Sequence, residues 1–360
     1  MRLKKYCTSL LLGAVIASSV YGCSTPFINN SDSQNSTEIS YIAFDNKAAT
    51  TDDIIQFIIE AMENNQNECD IFVADDSLID ANEWLTRISG IEQIKCEYRK
   101  IKDGYNMVVT YECWDNYAIM KAYHSDNTSQ LNERQLELYN KYVDVLAEVT
   151  SPHKSDYENE LAIHDYLVSN ITYIDKGGST FNAYDALIKG EAVCSGYTES
   201  FKTFMDMLGI ENYTISGTAG NDQHIWNVVK LGNDWYQVDV TWDDPVGSTS
   251  EYIDHGYFNI SDADMAIDHT WNSDMNAANP ANGYIYTYPV QAKLHSVSSQ
   301  RDLDNYILRC IRNKVNHIEF ITTADLDIKS SVSAAGTQLS YSYKTTERTG
   351  YTLYSVTFTY

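Results

Sequence analysis

Three residues of the 360-residue chain could together perform nucleophilic chemistry: Cys194 in GEAVCSGYTESFKTFMDMLG, His224 in QHIWNVV and Asp239 in WYQVDVTWDDP. A thiol attacks carbonyls as its thiolate, an imidazole within reach can take the proton, and a carboxylate can hold the other ring nitrogen. The order suits a thiol acyl-transfer site. Each role needs a particular local structure, and the spacing provides it. Tyr197, Phe201, Phe204, Met205 and Leu208 recur at helical intervals until Gly209 stops the run. Cys194 therefore opens a buried helix, where unpaired N–H groups and the helix dipole favour a thiolate.

The histidine and aspartate follow on a predicted β-hairpin. His224 to Leu231 alternates, Gly232-Asn233 is a favoured two-residue turn, and Asp234 to Thr241 returns. Register decides whether they meet. With Leu231 opposite Asp234, His224, Trp226 and Val228 share a face with Trp235, Gln237 and Asp239. Asp239 then lies diagonally across from His224, about 7 to 8 Å away at Cα. A slip of one residue would put the two on opposite faces.

These segments resemble the core motifs of the transglutaminase-like superfamily, approximately GxGxCxGY/F, HxW and VDxTW, over about Tyr157 to Trp271. Glu191 and Ala192 stand where many members carry a second glycine nearby. The resemblance implies an α+β, papain-like core: a cysteine-bearing helix on an antiparallel sheet that carries the histidine and aspartate. It implies Cys194 as nucleophile, His224 as general base and acid, and Asp239 as the carboxylate that orients the ring. The substrate would be a peptide or glutamine-carboxamide carbonyl, processed through a thioester without a cofactor. The Cys194 N–H would be one oxyanion donor and Tyr184, ten residues upstream, the second. Hydrolysis and transamidation both remain open, because the difference lies in how water is excluded. The alternative from another class is a non-catalytic surface protein that keeps the fold to bind peptides or cell wall.

At the N-terminus, Arg2, Lys4 and Lys5 precede an apolar run from Leu10 to Val20, which suits a signal peptide over residues 1–22. Val20-Tyr21-Gly22-Cys23-Ser24 resembles a bacterial lipoprotein signal, with Cys23 as the lipid-attachment residue. The expected location is the outer face of a bacterial cell membrane; plain secretion is the alternative, since Tyr21 is bulkier than the pattern prefers. Loss of residues 1–22 removes three positive charges and no negative one, taking the formal charge from −25 to −28. Such a surface repels polyanions and carries no basic stripe, so the expected partner is a peptide, protein or cell-wall substrate and not nucleic acid. Setting aside Cys7, Cys23 and Cys194 leaves Cys69, Cys96, Cys113 and Cys310. Export permits disulfides, but the spacing gives no framework, and buried free thiols are expected. No CxxC or HExxH occurs, and Asp262 to Asp268 lacks the ligand pattern of a calcium loop, so no metal is expected; Ser261 and Asp264 read as a helix cap.

Around the core the chain divides into a tether (23–38), an N-terminal α+β module (39–127), the catalytic domain (128–278) and a C-terminal α+β module (279–360). In the first module Thr51 to Asn64 and Ser77 to Ile88 are predicted helices, Cys69 to Ala74 a strand, and Ile94 to Ile101 with Tyr105 to Cys113 a hairpin. Asp53, Ile54, Phe57, Ile58, Ile59 and Met62 match Asp302, Leu303, Tyr306, Ile307, Leu308 and Ile311 in register. Each module also closes with a Gly-Tyr step, Gly104-Tyr105 and Gly350-Tyr351. Amphipathic helices share such patterns by chance, so duplication and coincidence stand as equal readings.

Overall fold

The computed structural model describes residues 46–88, 90–174, 182–244, 252–273, 276–335 and 339–360. The expected signal peptide, tether and Cys23 lie outside them. Between Leu131 and Asn132 the chain divides into two compact units.

The first unit shows how local signals build a sheet. After β1 (Lys47–Ala48), Thr50 caps α1 (Thr51–Glu63): its hydroxyl accepts from the Asp53 N–H, and the Asp53 carboxylate accepts from Ala49 and Thr50. The apolar face of α1, with Ile54, Ile58 and Met62, is buried in one core with Ile71 and Val73 of β2 (Glu68–Val73). α2 (Ala81–Arg87) is shorter than expected because Asp80 starts it afresh, accepting from the N–H groups of Asn82 and Glu83. β3 (Ile91–Ile101) and β4 (Gly104–Cys113) complete a sheet of order β1-β2-β4-β3, and α3 (Asp115–Ser125) follows.

In the second unit, Asn132 and Ser155 form capping boxes at the starts of α4 (Glu133–Val149) and α5 (Asp156–Asn170). A short parallel pair, β5 (Thr172–Tyr173) and β6 (Glu191–Ala192), delivers the chain to α6 (Cys194–Leu208), which Gly209 ends at φ 75°. β7 (Asn212–Ala219), β8 (Asp222–Leu231) and β9 (Asp234–Val238) form an antiparallel meander. α7 (Val240–Asp243) and α8 (Asp262–Met265) come next, and β10 (His269–Trp271) then joins the free edge of β7, giving the order β10-β7-β8-β9. α6 packs on this sheet, which makes the core α+β with the expected layering.

The chain continues through α9 (Tyr288–Gln291), β11 (His295–Val297), α10 (Gln300–Arg312), β12 (His317–Thr322), α11 (Ile328–Ala334), β13 (Ser340–Arg348) and β14 (Tyr351–Thr359), in a sheet of order β11-β12-β14-β13. This module shares one compact unit with the core. Buried Arg348 donates from Nε to the Gly256 carbonyl at 3.0 Å, the Thr349 N–H donates to Asp264, and Tyr252 stacks on His317 at 4.1 Å. The stretch 276–283 is pinned to the core: Asn276 Nδ2 and the Ala281 N–H both donate to Asp262. Among the described residues no helix is long and apolar enough to cross a membrane.

Candidate active site

Cys194 is the first residue of α6 and is half-buried. The glycine two positions on is a packing requirement, because a Cβ at Gly196 would lie 2.7 Å from the Ala192 side chain and 3.0 Å from the Asn182 carbonyl. Two hydrogen bonds fix α6 against β8. Thr198 Oγ1 donates to the Ile225 carbonyl at 2.9 Å, and Asn227 Nδ2 donates to the Thr198 carbonyl at 3.1 Å. They sit one turn beyond Cys194 and next to His224, so they set the thiol against the imidazole.

The hairpin has the register that sequence parity requires: Leu231 faces Asp234 and Val228 faces Gln237. Gly232 takes φ 62°, the conformation that the first central position of a type II′ turn needs. One feature differs from expectation. β9 ends at Val238 instead of Thr241, and Asp239 becomes the N-cap of α7, its Oδ1 accepting from the N–H groups of Thr241 (3.1 Å) and Trp242 (3.2 Å). A short acid caps a helix well, so the carboxylate is fixed by backbone donors as well as by the sheet. Its Oδ2 lies 2.6 Å from His224 Nε2, which leaves the other ring nitrogen, Nδ1, for Cys194, with which His224 also hydrogen-bonds. Burial opposes an imidazolium at His224, but the charge and hydrogen bond of Asp239, together with Cys194, outweigh it and raise the ring to about 10. Asp239 itself, buried, is held well below the usual carboxylate range; the burial penalty is overcome by His224 and His269.

His269 was not foreseen from the sequence. Its Nε2 lies 3.0 Å from the same Asp239 Oδ2, and its Nδ1 lies 2.6 Å from Asp268 Oδ1, whose partner oxygen accepts from the Tyr257 hydroxyl at 2.5 Å. The pairing of β10 with β7 carries it there. Gly217 stands opposite His224 on one side and Trp271 on the other, and a Cβ on it would lie 2.0 Å from the Thr270 carbonyl. A signal was present: His269-Thr270-Trp271 repeats the His-x-Trp spacing of residues 224–226. A second buried group, also unforeseen, lies behind α7. His164 reaches Asp243 (3.2 Å) and Asp165 (3.0 Å), and His255 reaches Asp165 (2.9 Å). Burial works against the charge on His164, but the two carboxylates raise it to about 9. The segment 239–244 thus serves four side chains, His224, His269, His164 and Tyr197, the last through Asp244, which accepts from the Tyr197 hydroxyl.

Among the described residues two sets, His224/Asp239/His269 and His164/Asp165/His255, bring metal-ligating atoms close together. In each the shared carboxylate oxygen is engaged by two imidazole nitrogens at hydrogen-bond distance. Tyr184 requires a correction. Its hydroxyl donates to Glu137 of α4 at 2.5 Å and its ring lies under the Arg134 guanidinium at 4.5 Å. A phenol has one O–H, so this one is not available to a developing oxyanion. Cys69, Cys96, Cys113 and Cys310 are free thiols, and burial pushes Cys69 up to about 12 and Cys96 to about 11.

A cysteine at a helix N-terminus, facing a His–Asp pair held by an antiparallel sheet, defines the papain-like class of thiol acyl-transfer folds. Residues 143–240 match the transglutaminase-like superfamily, and the chain carries a domain of that superfamily. Among solved structures, one described as a TGase is 15% identical, with a TM-score of 0.27, over 57% of this chain and 61% of its own. A "putative cysteine protease" from Cytophaga hutchinsonii is 16% identical (TM-score 0.27; 43% of this chain, 68% of its own). A "putative protease" from Parabacteroides distasonis is 8% identical (TM-score 0.25; 81% and 65%). No curated protein matches the chain.

Proposed function

We propose that the protein is an exported cysteine enzyme that acts on peptide or glutamine-carboxamide carbonyls through a thioester. The thiol proton passes from Cys194 to His224, the Cys194 sulfur bonds to the carbonyl carbon, and the tetrahedral oxyanion is met by the Cys194 N–H at the start of α6. Collapse of that intermediate breaks the C–N bond, and His224 returns its proton to the departing amine. Water or an acceptor amine then resolves the thioester. One observation carries this reading: the 2.6 Å contact of His224 Nε2 with Asp239, which leaves the other ring nitrogen, Nδ1, for Cys194. Export and lipid attachment at Cys23 rest on residues 2–24, and the substrate is a peptide, protein or cell-wall peptide.

The test is acyl-enzyme trapping. Incubated with glutamine-containing peptides and quenched in acid, the wild type should show a mass adduct on the Cys194 peptide. Cys194→Ser should show none and His224→Ala only a slow residual rate, and a His224→Ala/Asp239→Asn double variant should be little slower than His224→Ala alone. Absence of selective Cys194 labelling by iodoacetamide near pH 7, with no adduct from any peptide in a library, would favour the binding protein. Mass spectrometry of the mature N-terminal peptide checks the diacylglyceryl group on Cys23.

A further inference from the structure

We propose that His269 is a positioning residue of the catalytic group: a buried imidazolium that shares Asp239 with His224 and governs how firmly His224 holds its proton. The inference rests on the reading of Cys194, His224 and Asp239 as the reactive group.

Both ring nitrogens of His269 face carboxylate oxygens, Nε2 towards Asp239 at 3.0 Å and Nδ1 towards Asp268 at 2.6 Å. A neutral imidazole has one N–H, and either tautomer would set a nitrogen lone pair against a carboxylate lone pair. Only the doubly protonated ring satisfies both contacts. Its side chain is fully buried, where burial alone would favour neutrality, but the hydrogen bonds to Asp239 and Asp268 prevail and raise its pKa. The charged or titratable groups around it are few. Asp239 stands at the start of α7, Asp268 is adjacent in sequence, and the His224 ring lies 5.6 Å away on β8. Tyr257 donates to Asp268, and the Arg348 guanidinium sits 4.4 Å over the Tyr257 ring. Among the described residues the rings of Trp226 at 5.0 Å, Trp242 at 4.6 Å and Tyr257 at 5.6 Å also lie beside it.

One carboxylate oxygen therefore serves two imidazoles. A positive charge on His269 offsets part of the field that Asp239 exerts on His224. Without it the whole of that field would stabilise the His224 imidazolium, which would keep its proton to higher pH and yield it less readily to a leaving amine. The second contact, through Asp268 and Tyr257, keeps the His269 ring from turning.

The experiment uses the full chain. The rate at which iodoacetamide alkylates Cys194 is followed against pH in the wild type, His269→Gln and His269→Ala. Glutamine keeps an N–H for Asp239 and removes the charge. The alkaline inflection governed by His224 should move up by about one pH unit in both variants. A His269→Gln profile that superimposes on the wild type overturns the proposal. So does a shift in His269→Ala alone, which would assign the effect to the hydrogen bond. Should the variants not fold, the wild type decides: nitrogen NMR of the imidazoles should show both His269 nitrogens protonated between pH 6 and 8, and a neutral ring in that range overturns the proposal. A wild-type alkylation profile left unmoved by His224→Ala overturns the underlying catalytic reading, and this inference with it, even where NMR finds His269 charged.

Discussion

The sheets β1-β2-β4-β3 and β11-β12-β14-β13 follow one plan and differ at one end. In both, a hydroxyl residue caps the long helix, Thr50 or Ser299, and the aspartate three residues on returns a bond to the backbone before it. In both an asparagine closes that helix, and the next residue, Asn65 or Lys314, takes a positive φ. Cys69 faces Val109 as Ile318 faces Val356. Carried along the ladders to the turns, this equivalence sets Ile101 against Arg348 and Gly104 against Tyr351. The Gly-Tyr steps are therefore out of register by one: Gly104 follows its turn, whereas Gly350 lies within it. The first sheet belongs to a compact unit of its own, and the second to the unit that holds the site. At the hairpin end the first has a half-exposed isoleucine, and the second a buried arginine that grips Gly256 and covers Tyr257. The contrast teaches that one polar side chain at a hairpin end can tie a module into a neighbouring core without a change of topology.

Truncation tests that contrast most severely. Removing residues 279–360 strips Gly256 and Asp264 of their partners and uncovers the His255 ring, on which Tyr288 stacks at 3.9 Å. The shortened chain should lose the cooperative melt of the second unit and selective labelling of Cys194, whereas a chain beginning at residue 132 should keep both. Circular dichroism and iodoacetamide labelling decide, and a truncated chain that melts like the parent would break the comparison. On a smaller scale, Arg348→Ala should cost about 2–4 kcal/mol by urea unfolding, since it leaves a buried carbonyl unpaired. Ile101→Ala, at the matching place, should cost under about 1 kcal/mol.

Protons should separate the units next. Burial pushes Glu160 up to about 8 in the fold, with Asn259 opposing, while an unfolded glutamate ionises near 4.3. The folded acid keeps a proton that the unfolded chain has shed, so stability falls as pH rises through that window. His164, raised to about 9 by its two carboxylates against the effect of burial, contributes stability that is complete below about 6.5 and is lost towards 9. Both slopes run downward between pH 6 and 8, as does that of His224, and the second unit should lose on the order of 4 kcal/mol or more over that range. The carboxylates with depressed pKa are fully ionised in both states there and add no slope. The melting temperature of the first unit should stay level; Glu160→Gln should flatten the curve of the second. The smallest contrast lies in the glycines. A Cβ at Gly104 would lie 2.3 Å from the Val73 carbonyl, while at Gly350, φ 89°, it would meet open space. Gly104→Ala should cost about 2 kcal/mol and Gly350→Ala about 1 kcal/mol.

The meeting of Cys194, His224 and Asp239 was legible because each position depends on short-range signals: a helix period, a two-residue turn and the parity of a hairpin. His269 depends on a strand that returns to β7 across fifty positions, with no turn to announce it, and its repeated His-x-Trp spacing acquires meaning only once that pairing is known. Tyr184 went astray for the converse reason. Its distance from Cys194 in sequence suggested proximity in space, but a carboxylate on a helix 47 residues earlier holds its hydroxyl. Arg348 gave no sign of burial, since an arginine beside a turn is ordinarily solvated.

The edge pairing of β10 with β7 also bears on when the protein becomes reactive. During synthesis the N-terminal parts emerge first, so α6 can form with Cys194 in place well before residue 269 exists. Loop closure over that separation is slower than the local hairpin that brings His224 to Asp239. Through that interval Asp239 is held by His224 and the α7 backbone alone, and the arrangement at maturity arrives only when the chain beyond Trp271 has docked. The arrangement around Asp239 is thus completed by topology, since the strand that carries His269 lies at the edge of the sheet and latest in its sequence.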